Sequence, residues 1–313
     1  MKKSFGLALL LFLLLIPFVL PVYTLHVFIV GLYYAVLASS WSLLAGYGGK
    51  LSFAHSAFSA IGAYSSSLLV LKTGVSPFIG LPFGALMGGV FGLLIGVLCL
   101  RMSGPYLALT TIAFSEILRI FVMAEYKFTE GSIGIHAPPF FSGTSKLPYY
   151  YLALSILLCS LFTLLYVVRS RYGLLLRALR EDEDGAAAMA VNVVRYRIVA
   201  FVISSLFAGL AGAFYAHFIL LVSPQMMILS DMALILGMSI VGGIESLIGS
   251  ALGALFLEFL SEYLRALGEW RMVFLGLILL LTLKFFPNGL FEPCSQCLKT
   301  ATRLLKSYFK GKG

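Results

Sequence analysis

Residues 169–197 read RSRYGLLLRALREDEDGAAAMAVNVVRYR, with six arginines and four acids in 29 residues. The runs on either side, 149–168 and 198–221, contain no Asp, Glu, Lys or Arg. A charged residue at the centre of a membrane helix costs about 2.5–3.5 kcal/mol, so a segment with ten of them lies outside the hydrocarbon. Each flanking run matches the ~20 residues that a helix needs to cross an apolar core of ~30 Å. The charged stretch is therefore a surface connection between two membrane helices, and the chain is an all-α polytopic integral membrane protein.

The same pattern extends outward in both directions. Apolar segments fall at 5–22, 26–46, 51–71, 78–100, 105–124, 149–168, 198–221, 232–260 and 272–286, about 8–9 transmembrane or re-entrant helical segments. Only 11% of residues are charged, against about 25% in a soluble domain, and mean hydropathy is +1.01. No soluble domain, internal repeat or low-complexity tract interrupts the chain, so residues 1–313 form a single transmembrane domain. The run Phe5–Val22 follows Lys2 and Lys3 without a small-residue cleavage site before the next span, and reads as a retained first helix rather than a signal peptide.

The net charge of +9 does not indicate nucleic acid, because the basic residues flank apolar runs. With the N-terminus inside, the inner connections hold Lys2, Lys3, Lys50, Arg101, the six loop arginines and a basic tail, residues 287–313, with Lys284 just before it. The outer ones hold Lys72, Lys127 and Lys146. This asymmetry places both termini in the cytoplasm.

That orientation fails if 232–260 crosses once. Gly242–Gly243 at its middle predicts a broken, re-entrant hairpin that returns to its starting face. Gly80, Gly84, Gly88, Gly92 and Gly96 form a stripe on one helix, predicting close backbone packing.

Within 169–197, Leu175, Leu176 and Leu179 recur near helical spacing, and three acids, Asp182–Asp184, precede the helix-forming run Ala186–Ala190. Two short helices follow: one leaving the membrane through Arg180, the other along the surface from about 184 to 191. Such an element docks a cytoplasmic partner; the plainer reading is a solvated charged loop.

The segment resembles the cytoplasmic coupling loop of branched-chain amino acid ABC permeases of the LivM type, which reads roughly RSRFGRALRAIREDExAAEALGINVxRYK. The likeness continues through Ala200–Phe201 and Ala208–Ala213. Residues 43–58, LLAGYGGKLSFAHSAF, resemble the family's LLLGYAGQLSLGHAAF. Residues 104–119, GPYLALTTIAFSEILR, resemble GPYFALVTLAFAEILR, and 129–135, TEGSIGI, resemble TGGSDGI. Ala190 departs from the family's usual glycine, and Asp184–Gly185 is atypical.

The resemblance implies the ABC importer permease fold in a bacterial or archaeal plasma (inner) membrane. Arg177, Arg180, Glu181, Asp182, Glu183, Ala187 and Asn192 would form the ATPase-coupling loop. It also implies four kinds of surroundings: a second related permease, two cytoplasmic ATP-binding subunits, an extracytoplasmic substrate-binding protein and the lipid bilayer. The implied substrates are leucine, isoleucine and valine. Related permeases handle urea or other small amides and amino acids.

Polar residues inside the spans are candidates for the translocation path. Glu116 and Arg119, three residues apart, share a helix face. They are read either as a pathway pair or as a structural ion pair. Ser52, His55 and Ser56 begin a span on one face, and Glu245 follows the glycine break and is expected to cap the second half-helix.

No GxxxxGK[ST] loop, HExxH motif or Ser-His-Asp arrangement is present, so ATP binding by that signature and catalysis have no footing and no cofactor is expected. Cys294 and Cys297 form a lone CxxC, too few ligands for zinc, and Cys99 and Cys159 read as packed thiols. An ion-gradient-driven transporter with Glu116 as a proton site is the class-level rival, but it would have no need of a docking helix at 169–197.

Overall fold

The computed structural model describes residues 15–98, 102, 104–143, 145–268, 270–286 and 289–290. Most of the expected first span, Arg101, Cys99, Cys294, Cys297 and the tail apart from Gly289 and Leu290 lie outside the described residues.

The bundle is built around α1 (Val22–Ser42), which continues through a π-helical turn at Leu43–Tyr47. It is apolar around its whole circumference and almost fully buried, as such helices must be. Its serines satisfy themselves or a neighbour: Ser40 donates to the Leu37 carbonyl (2.9 Å) and Ser42 to that of Ile244 (2.6 Å).

Around it stand α2 (His55–Thr73), α3 (Pro77–Leu98), α4 (Pro105–Ala124), α5 (Leu147–Arg169) and α8 (Val193–Ile219). Two short helices, α6 (Arg171–Glu181) and α7 (Glu183–Ala188), lie between α5 and α8. The bundle is completed by α9 (Leu229–Gly242), α10 (Leu247–Tyr263) and α11 (Trp270–Phe285). A two-residue antiparallel pair, β1 (Ile135–His136) with β2 (Leu221–Val222), ties the 125–146 connection to the end of α8. Among the described residues, six helices are long and apolar enough to cross a membrane.

The span expected at 105–124 coincides with α4. The one expected at 51–71 begins later, at His55, because Lys50–Ala54 are held out of the helix. Trp41 Nε1 donates to the Ser52 carbonyl (2.8 Å), and the Phe53 N–H donates to Thr111 Oγ1 (2.9 Å). Cys159, expected to pack, is exposed on α5.

The glycine stripe of α3 packs on α2 and α8. A Cβ at Gly84 would stand 2.7 Å from the Gly62 carbonyl oxygen, and one at Gly88 would stand 2.6 Å from that of Ser205. Only glycine lets these backbones approach so closely.

The expected break at Gly242–Gly243 is present. Gly243 takes φ 106° and α9 folds back on α10, with Gly242 packed on the Gly249 backbone and Gly253 on that of Met238. The cap of α10 is Ser246, which accepts from the Gly249 N–H (3.1 Å), and not Glu245 as expected; the serine oxygen has the short reach that a cap needs. The two arms run about 21 and 25 Å at 1.5 Å per residue. Their tip therefore reaches the end of the bundle that carries α6 and α7, while Glu262 bonds to Tyr23 at the opposite end.

Candidate functional site

The charged stretch folds as two capped helices. Ser170 accepts from the Tyr172 N–H (3.2 Å) to start α6, and Asp182 accepts from the Gly185 N–H (2.9 Å) to start α7. Glu183 and Asp184 fall in the first turn of α7, where its dipole favours acids. Asn192 caps α8 by accepting from the Arg195 N–H (3.0 Å), which is why α8 begins five residues before the expected span. The buried stripe of α6 is Gly173, Leu176 and Leu179, and this holds the helix against the bundle.

Two side chains fasten these helices to the rest of the molecule. Arg180 donates to the Gly46 carbonyl (2.5 Å) and to Glu245 (2.5 Å), so one guanidinium joins α6 to the end of α1 and to the hairpin tip. Glu181 lies 3.7 Å from the same guanidinium and is largely exposed. Glu183 pairs with Arg197 on α8 and with Lys50 (3.4 Å). Burial and the neighbouring Arg197 push the Lys50 ammonium below its usual pKa, and Glu183 draws it partly back. Arg177 lies over the Tyr47 ring, 4.8 Å from its centroid. Ala187, Ala188, Met189 and Ala190 are exposed, with Met189 81% accessible, and form a small apolar knob.

The six candidate path residues separate into different settings. Glu245 lies at the charged end with Arg180, because the hairpin runs the depth of the bundle. Ser52 is not on a helix, so it shares no face with Ser56: its carbonyl accepts from Trp41 and its hydroxyl from the Ala54 N–H (3.3 Å). His55 is fully buried against Ser204 (2.6 Å) and packs α2 on α8.

Ser56 is buried, its hydroxyl has no partner among the described residues, and it lines two clefts. One is walled by Phe53, Ile112, Ser115, Glu116 and Met232, the other by Tyr33, Tyr34, Tyr215, Met226 and Asp231. Glu116 and Arg119 form a two-pronged ion pair, Nη2 to Oε1 at 2.5 Å, on the outward side of α4. That helix buries only Leu107, Thr111, Ser115 and Val122, so most of its surface is open.

Lys50, Arg197 and Asp231 did not emerge from the sequence as partners. Asp231 lies one residue before the segment expected at 232–260 and reads as a flank. Lys50 reads only as an inside charge, since its tie to Glu183 depends on a contact 133 residues away.

The connection between the two regions is short. Lys50 is held by Glu183 at the charged end, and three residues later Phe53 is gripped by α4, its N–H on Thr111 and its carbonyl accepting from Ser115 Oγ (3.2 Å). The family described as the branched-chain amino acid transport system permease component matches residues 23–283, which takes in this whole arrangement. The chain belongs to that family.

It is 31% identical over 92% of its length to the high-affinity branched-chain amino acid transport system permease protein LivM of Escherichia coli K12, covering 75% of that protein. It is 25% identical to the LivH permease protein of the same strain over 83% of this chain and 91% of LivH. A nucleoside ABC transporter permease protein, NupC of Lactococcus lactis, is 26% identical over 54% of this chain and 59% of its own length. No solved structure matches the chain. As a member of a transport permease family with several apolar helices, the chain is a multi-pass membrane protein.

Proposed function

We propose that this chain is one of two permease subunits of an ATP-driven importer that carries leucine, isoleucine and valine by alternating access. The observation that carries the reading is the fastening of α6 and α7 by Arg180 and Glu183 to the α1 end, the hairpin tip and α8. A solvated loop has no use for such a frame, and neither does a gradient-driven transporter.

In this reading α7 and the knob Ala187–Ala190 dock on a cytoplasmic ATPase, with both termini on that side and the 125–146 connection facing an extracytoplasmic binding protein. A second, related permease completes the path, two ATP-binding subunits hydrolyse ATP, and the membrane is the plasma membrane of a bacterium or archaeon. Closure of the ATPases shifts α7; Glu183 passes the shift through Lys50 to Phe53 and α4, and Arg180 passes it to the hairpin tip. For this to drive transport, α7 must prefer different positions in the two states.

The test is affinity purification from the native host in mild detergent with mass spectrometry of the partners, together with leucine uptake by the same cells. Recovery of ATPase subunits and a second permease, with uptake that depends on this chain, is expected. A solitary protein under several gentle conditions contradicts the reading and shifts attention to Glu116 in a gradient-driven transporter.

A further inference from the structure

The cleft lined by Tyr33, Tyr34, Ser56, Tyr215, Met226 and Asp231 has a chemistry of its own. Asp231 stands in the first turn of α9, half-buried at the edge of the cleft. It forms no ion pair among the described residues. Beside it, the rings of Tyr33 and Tyr215 stack at 4.3 Å and those of Tyr33 and Tyr34 meet at 4.9 Å. Tyr33 is fixed by a bond between its hydroxyl and Ser59 (2.9 Å). Ser56 Oγ, 2% exposed at the residue level and without a partner among the described residues, forms another wall. It belongs to the first turn of α2, whose N-cap residue Ala54 provides no side-chain cap.

An unpaired carboxylate in an apolar setting either takes up a proton or is met by a cation, so a cationic ligand draws out its charged form. Tyrosine ring faces attract the same kind of ion, most strongly when water is excluded. We infer that this cleft is a recognition site for the primary ammonium group of a free amino acid, with Asp231 as the counter-charge and the tyrosines as the wall. The Ser56 hydroxyl and the uncapped start of α2 supply donors for the substrate's carboxylate. The site names a substrate contact of the permease proposed above and rests on that reading. It also separates amino acids from nucleosides, which have no such ammonium.

The experiment is equilibrium binding of labelled 3-methylbutylamine to the full-length chain in nanodiscs, with 3-methylbutan-1-ol as the uncharged competitor. The wild-type chain should bind the amine, and the alcohol should fail to displace it at equal concentration. Asp231→Asn should weaken binding at least tenfold, while Asp231→Glu should stay within about threefold, since charge rather than shape carries the contact. Equal binding by Asp231→Asn, or displacement by the alcohol as readily as by unlabelled amine, overturns the inference. The competition arm uses the wild-type chain alone, so it decides even if a variant fails to fold. Leucine uptake in cells is read alongside. Absent uptake with Asp231-dependent amine binding sinks the importer reading and leaves this site standing, whereas normal uptake with Asp231-independent binding sinks only the site.

Discussion

Ala190 takes φ 59°, in the left-handed region, just after α7. A side chain there carries strain that glycine avoids. The family pattern has glycine at this position, so the departure visible in the sequence falls on the backbone angle that glycine suits. Ala190→Gly should raise the stability of the purified chain by about 0.5–1 kcal/mol, read as a later thermal midpoint in detergent. A lower midpoint would mean that the turn is not strained. At this scale the sequence was informative where a residue acts through its own backbone or its near neighbours: the acids that start α7 and the pair Glu116–Arg119 depend on residues close by, whereas the Asn192 cap, equally local, was not read. It was uninformative for Lys50, Glu245 and Asp231, whose roles depend on chain segments brought together by the bundle. Glu245 illustrates the failure: after a glycine break an acid reads as a cap, yet its partner is Arg180, 65 residues away.

Helices and their connections were legible wherever periodicity or a breaker marks them. The α3 stripe and the hairpin break are both glycine signals, and both mark close backbone contact in the structure. Gly88→Ala would force a Cβ to 2.6 Å from the Ser205 carbonyl oxygen and should lower stability by about 1–3 kcal/mol, seen as reduced abundance and an earlier thermal midpoint. Gly276→Ala on α11, where nothing lies within 4 Å of the added carbon, is the control and should change little.

The non-helical stretch Lys50–Ala54 was not legible, because its apolar residues continue the pattern of the following span. It is held out of the helix by Trp41, Thr111 and Ser115, none of them local. Thr111→Val with Ser115→Ala removes both bonds to Phe53. If this stretch links α7 to α4, that double variant should reduce leucine uptake at least fivefold, about 1 kcal/mol, at equal membrane abundance. Unchanged uptake would assign the bonds to packing alone.

For the whole molecule, the class of protein follows from the alternation of apolar runs and charged connections, and the two surface helices α6 and α7 from the charge pattern of 169–197. The frame of bonds that fastens these helices was hidden. One end of the bundle gathers α6, α7, the α1 end, the hairpin tip and Lys50. Further into the bundle, the clefts meet at Ser56. The α6–α7 pair thus has two bonded ties to the bundle, Arg180 on α6 and Glu183 on α7. Ala187 is exposed on α7, so enlarging it leaves the packing of the fold undisturbed.

In the proposed importer, α7 couples a partner's ATP-driven motion to transport. This coupling is tested most directly by leucine uptake into proteoliposomes holding the complete importer, wild type against Ala187→Trp, at equal protein content and with thermal midpoints compared. The account predicts that uptake falls at least tenfold, about 1.4 kcal/mol of lost coupling, while the midpoint of the chain is unchanged. Uptake at the wild-type rate would contradict it.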